Sequence, residues 1–133
     1  WQMSESGNPS PENERAPLGQ PDLIGRWRLL SYTTGDEHPM GRGARGVLQY
    51  SADGKVSVHI MGEGYFAYYG DYTLDAAGTA VTHHLQLCSE PKLVGVSNVR
   101  HARLEGLRLT LSGTMRFGEQ TREIRVVWER EVD

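Results

Sequence analysis

Val81 to Cys88 reads Val-Thr-His-His-Leu-Gln-Leu-Cys, an alternation of apolar and polar side chains that carries two adjacent histidines. In an extended strand neighbouring side chains leave opposite faces. Val81, His83, Leu85 and Leu87 therefore share one side, and Thr82, His84, Gln86 and Cys88 the other. If the aliphatic side lines the interior of a closed sheet, His83 is an imidazole in an apolar cavity, placed to move a proton. Taking the more apolar face of each flanking strand as inward surrounds it with Val56, Val58 and Ile60, then Phe66, Tyr68 and Tyr72. Val94, Val96, Asn98, Arg100, Ile124, Val126 and Trp128 complete the lining. A mostly apolar pocket with a few polar groups has the character of a small-molecule site.

Arg100 is the costly member of this set, because a buried guanidinium must meet a carboxylate, tyrosine oxygens, carbonyls or a ligand anion. The inward faces supply no obvious acid. One reading has Arg100 and Asn98 hold an enolate, carboxylate or tetronate-type oxygen while His83 transfers a proton and Tyr68 and Tyr72 orient or donate. On that reading His83, Arg100 and Tyr68 are catalytic, and Tyr72, Asn98, Phe66, Val58, Leu85, Val96, Val126 and Trp128 bind substrate. The rival reading is a hydrogen-bonded core network with no chemical role. The opposite choice of faces would bring Tyr69, Asp71, His84, Gln86, His101 and Arg103 inward instead.

Other motifs carry less. Adjacent strand histidines point apart, so His83 and His84 make a poor metal pair, and neither a metal nor a cofactor is expected. Gly41 to Gly46, Gly-Arg-Gly-Ala-Arg-Gly, lacks the strand-to-helix setting of a phosphate loop and reads as a connection. Cys88, Ser31 and Ser97 have no nucleophile motif around them.

These residues need a scaffold of strands. Gly25 to Thr34 opens it, with Trp27, Leu29 and Ser31 on one face and Arg26, Arg28, Leu30 and Tyr32 on the other. Val47 to Ser51 and Lys55 to Met61 flank Asp53-Gly54, a strong hairpin signal. Tyr65 to Leu74 follows Gly62-Glu63-Gly64, and the histidine strand follows Asp75 to Gly78. Val94 to Leu104, Leu107 to Ser112 and Thr121 to Val132 complete the set, with a hairpin connection over Gly113 to Gln120. No segment holds a helical period over eleven or more residues. Eight short strands joined by tight turns predict an all-β fold, an up-and-down antiparallel barrel with a central cavity, whose closure removes exposed edges.

The ordered series Leu23-Ile24-Gly25-Arg26-Trp27-Arg28-Leu29, Gly46-Val47-Leu48-Gln49-Tyr50, Asp53-Gly54, Val81-Thr82-His83-His84, Val99-Arg100, Leu107 to Leu111 and Trp128-Glu129-Arg130 resembles the bacterial and fungal lipocalin-like domain, over roughly Leu23 to Val132. Gly25-Arg26-Trp27 is similar to the Gly-x-Trp signature of lipocalins. The resemblance implies that Arg130 packs over Trp27 as a cation-π plug at the barrel base. Where many relatives carry a long insertion after the third strand, only Gly62-Glu63-Gly64 stands here. No counterpart is expected here to the leader, disulfides and closing helix of secreted lipocalins.

Trp1 to Pro21 is rich in Ser, Gly, Pro, Asn and Glu and lacks apolar periodicity. Residues 1–22 are expected to form an irregular tail, a candidate lid for the uncovered mouth, and residues 23–133 the barrel. Met3 is the expected natural start. Acidic residues number 17 and basic residues 14, for a net charge of −3, which argues against nucleic acid. No apolar run approaches the roughly 20 residues that cross a bilayer, and a cytoplasmic location is expected. Cys88 is the single cysteine, which rules out an internal disulfide. The expected partner is a small hydrophobic molecule, and a homodimer is compatible with the sequence. The reading favoured is a cofactor-independent cyclase or isomerase of specialised metabolism that folds a largely apolar, polyketide-like substrate in its cavity. The alternatives are a non-catalytic carrier of the same kind of molecule and a structural or partner-binding barrel whose interior is simply filled. Because holding reacting ends together can itself remove several kcal/mol of barrier, few catalytic groups are required.

Overall fold

The computed structural model describes residues 17–117 and 119–132, the side chains of 116 and 117 excepted. Eight antiparallel strands close into a barrel in sequence order: β1 (Gly25–Thr34), β2 (Arg45–Tyr50), β3 (Lys55–Met61), β4 (Tyr65–Leu74), β5 (Ala80–Cys88), β6 (Ser97–Glu105), β7 (Arg108–Phe117) and β8 (Gln120–Arg130). Pairing of β1 with both β2 and β8 leaves no open edge. A single helical turn, α1 (Gln20–Leu23), precedes β1, and a 3-10 turn at Pro91–Leu93 separates β5 from β6. Among the described residues no helix is long and apolar enough to cross a membrane.

One end of the barrel is plugged. Leu23, Trp27, Leu48, Tyr50, Val56, Val81, Leu109 and Trp128 are all buried. The Arg130 guanidinium carbon lies 4.2 Å from the centre of the Trp27 ring. Arg130 also donates from Nη1 to the Ile24 carbonyl (2.8 Å) and from Nη2 to that of Asp22, while Trp27 Nε1 donates to the carbonyl of Leu23 (3.0 Å). The carbonyls left over where α1 meets β1 thus find their donors in the first and last strands.

The chain before α1 covers the same end. The Leu18 amide donates to the Gly78 carbonyl (3.0 Å), and Gln20 Nε2 reaches the Ala52 carbonyl (3.0 Å) and Tyr72 Oη (3.1 Å). Residues 17–22 therefore sit at the plugged end. The lid expected of the tail concerns residues 1–16, which lie outside the described residues. At the opposite mouth the loop after β1 meets the turn after β3, where the Glu63 amide donates to the Met40 carbonyl (2.9 Å).

Two bulges correct the face assignments. Between β1 and β8, Leu29 is opposite Trp128 but Ser31 is opposite Val127, so Leu30 is an extra residue. Beyond it the pleat is shifted by one. Tyr32, expected on the outer face with Arg26 and Arg28, stands opposite Val126 and lines the interior. Between β4 and β5, Tyr69 is opposite Leu87 but Gly70 is opposite Leu85, which makes Gln86 extra. Leu87, expected inside, is 65% exposed, and Cys88 comes to stand opposite Tyr68. Gly70 makes the crossing feasible, since a Cβ there would lie 1.7 Å from the His84 carbonyl oxygen.

Two boundaries also differ. β6 begins at Ser97 rather than Val94, because Pro91 starts a 3-10 turn that carries Val94 and Val96 to the surface. β7 continues to Phe117, past the hairpin connection expected from Gly113, so that Gly113 is a strand residue opposite Ile124.

Candidate functional site

His83 projects inward from β5 and is 1% exposed, whereas its neighbour His84 faces out, with Nδ1 2.8 Å from Ser97 Oγ. Both ring nitrogens of His83 are engaged: Tyr50 Oη lies 2.7 Å from Nε2 and Tyr68 Oη 2.6 Å from Nδ1. A neutral imidazole has one N–H and one lone pair, so one tyrosine donates to the ring and the other accepts from it. Burial, aided by the positive charge of Arg100 and by His84, pulls the His83 pKa down to about 3. The ring is neutral at ordinary pH. Burial pushes both phenols up, Tyr50 well above its ordinary value, so they are neutral as well.

Arg100 enters from β6 and is 9% exposed. Among the described residues its guanidinium makes one hydrogen bond, from Nη1 to the carbonyl of Val99 (3.1 Å). Burial lowers its pKa, and Tyr68 and Tyr32 nearby act in the opposite direction. An arginine stays charged even so. The space it occupies is provided by Gly113, where a Cβ would lie 3.1 Å from Nη1 and 3.3 Å from Cδ of Arg100. The inward position on β7 between Leu111 and Met115 is thus left without a side chain, and the arginine lies over it.

These groups border an interior void of about 40 Å³, room for a few waters. Of the residues singled out from the sequence, His83, Arg100, Tyr68, Asn98, Phe66, Val58, Val126 and Trp128 line it. Three do not. Tyr72 is buried nearer the plugged end, its ring centre 4.6 Å from that of Tyr50 and its hydroxyl donating to the Ser51 carbonyl (2.9 Å). Leu85 is buried in the wall opposite Gly70, beside the bulge at Gln86 and outside the lining. Val96 is 37% exposed on the turn before β6 and cannot contact an interior ligand.

Sequence reasoning missed Tyr32, Leu111 and Met115, which complete the wall with Ile60 and Ile124. Tyr32 was hidden by the bulge at Leu30. Met115 lay beyond the expected end of its strand. The indole Nε1 of Trp128 is buried without a hydrogen-bond partner among the described residues. No carboxylate belongs to the described lining.

The void is much smaller than the roughly 300–1,000 Å³ of a typical ligand pocket, because Tyr50, Tyr68, His83, Arg100 and Trp128 fill the middle of the barrel. Phe66 and Met115, both half-buried, stand at its mouth end on β4 and β7. A larger groove of about 980 Å³ runs along the outer face of β6 to β8 beside Pro17 and Leu18. Its His101, Arg108 and Arg125 are exposed, and water already satisfies such groups. The interior is the stronger candidate, since His83 and Arg100 are there buried as whole side chains.

A closed eight-stranded barrel, plugged at one end and with apolar walls and a few polar groups within, defines a protein of the lipocalin-like barrel class, an architecture that suggests small-molecule binding. The chain belongs to the lipocalin-like domain family, whose model matches residues 61–131. No curated protein matches the sequence.

Proposed function

We propose that this barrel binds a small, largely apolar molecule in its mouth half. The observation that supports this reading is the asymmetry of the interior. The plugged end is packed with Leu23, Trp27, Leu48 and Leu109, whereas the mouth half has a void walled by Val58, Ile60, Phe66, Leu111, Met115 and Ile124. Swinging Phe66 and Met115 outward would enlarge that void without breaking a strand pairing. Methionine is well suited to such adjustment. Only one end of a polyketide-like chain would fit within, and the remainder would project from the mouth.

A second reading, conversion of the bound molecule by cyclisation or isomerisation without a cofactor, is favoured by Tyr68, which lines the void with its hydroxyl braced on His83. If the α-proton of a bound carbonyl compound passes to water at the open mouth, a phenol O–H and the guanidinium of Arg100 would stabilise the charge left on its oxygen, and return of a proton at another carbon completes the isomerisation. His83 then acts through Tyr68, since both of its nitrogens are occupied and a pKa of about 3 makes it a weak base near neutral pH. On this reading His83 is a positioning residue, and holding the substrate supplies much of the acceleration.

Native mass spectrometry of protein isolated from its producing organism tests both. A retained apolar compound supports binding, and its return in altered form after incubation supports turnover. A protein that carries nothing and takes up neither Nile red nor apolar acids and alcohols would remove both readings.

A further inference from the structure

The binding reading leaves open which molecules the interior selects, and the polar groups there are unbalanced. Arg100 is nine-tenths buried, borders the void and spends one N–H on its own neighbour's carbonyl, while the described lining offers no carboxylate. A guanidinium has five N–H donors, and burying one without an anion is unfavourable by a wide margin. Removal of a side chain at Gly113 shows that the barrel makes room for this arginine rather than excluding it. Around it, Tyr32 and Tyr68 carry hydroxyls, Asn98 an amide, and Trp128 an indole N–H with no partner. Donors exceed acceptors on a wall that is otherwise aliphatic and aromatic.

We infer that the ligand is a monoanion, an apolar body ending in a carboxylate or a comparably acidic enol, whose anionic oxygen meets Arg100. Tyr32, Asn98 and Tyr68 offer further donors around it. The inference rests on the interior being the binding site and adds the charge of what enters it. One anion per site follows from the arithmetic: a single buried cation is neutralised by one negative charge, and a dianion would leave a charge buried in an apolar wall. Carboxylates and guanidinium groups also match as a two-pronged pair, which neutral oxygen ligands cannot reproduce.

The test uses the whole chain and matched probes: butyrate, hexanoate and octanoate against 1-butanol, 1-hexanol and 1-octanol, with Nile red as a neutral apolar control. Binding is followed at pH 7 by calorimetry and by intrinsic tryptophan fluorescence, to which Trp128 in the pocket wall contributes. The unmodified protein is expected to favour at least one acid over its alcohol by tenfold or more. Arg100→Met should erase that preference, bringing each acid to the affinity of its matched alcohol measured on the same variant, and Arg100→Gln repeats the comparison with a neutral polar head. Equal binding of acid and alcohol, or a preference that survives both substitutions, overturns the anionic assignment and leaves the binding reading standing. Uptake of Nile red or alcohols without any acid does the same. If acids, alcohols and Nile red all fail to bind, the binding reading falls and the inference falls with it.

Discussion

Tyr68 Oη lies 2.6 Å from Nδ1 of His83. With Tyr50 on Nε2, the contact locks a neutral imidazole between two phenols in the middle of the barrel. The network ties β2, β4 and β5 together through side chains that a purely apolar core would not need. It also makes the interior sensitive to pH.

The first prediction concerns that sensitivity. His83 has a folded pKa of about 3 against an ordinary value of 6.5, so the unfolded chain takes up a proton that the folded chain refuses. The stability contributed by the neutral ring is complete above the unfolded value and is lost as pH falls toward the folded one, by ~1.4 kcal/mol per unit within that window. Urea unfolding at pH 7, 6, 5 and 4 should show this slope. His83→Gln, which keeps a donor and an acceptor, should flatten it by about one proton; an unchanged slope would mean that another group carries it.

Arg100 should lower the stability of the empty barrel. Replacing a buried, poorly partnered cation by an apolar side chain of similar length is often stabilising, by about 1–4 kcal/mol. Arg100→Met is therefore expected to raise the melting temperature of the ligand-free protein. A clear fall would show that the guanidinium supports the fold.

Gly70 is predicted to tolerate no side chain. A Cβ at that position would sit 1.7 Å from the His84 carbonyl oxygen, so Gly70→Ala must push β5 away from β4 or undo the bulge at Gln86. The expected cost is on the order of 3 kcal/mol or more, as for other overpacked sites. Thermal unfolding measures it, and a variant as stable as the parent would contradict the bulge.

At the mouth, Phe66→Ala and Met115→Ala should widen the void. Nile red or a longer acid should then bind faster, and the double variant should accept ligands that the parent excludes. Each truncation should also cost about 2–4 kcal/mol or less, the lower part of the range applying to half-buried side chains. Stopped-flow fluorescence with and without the substitutions decides it. Unchanged association rates would place the way in elsewhere.

At the plugged end, Arg130→Ala removes a cation-π contact and two donors to the carbonyls of Asp22 and Ile24. A loss of about 1–3 kcal/mol is expected. Arg130→Lys should recover only part of it, because an ammonium cannot lie flat on Trp27 while reaching both oxygens. Denaturant midpoints of the two variants provide the comparison.

Much of this architecture was legible in the sequence because its causes are local. The alternation in Val81 to Cys88, the Asp53-Gly54 turn and the even spacing of apolar strands follow from backbone geometry and burial, and they determine an eight-stranded antiparallel barrel with His83 and Arg100 inside. The pairing of Trp27 with Arg130 was readable from the resemblance. What only the tertiary structure decided was where the alternation slips. A bulge depends on how two strands cross, which neither strand encodes alone, so Leu30 and Gln86 redirected Tyr32, Leu87 and Cys88. The size of the void is likewise a sum over all eight strands. Tyr50, inward at the end of β2, takes the far nitrogen of His83 and fills space that the single-strand patterns had left open for ligand.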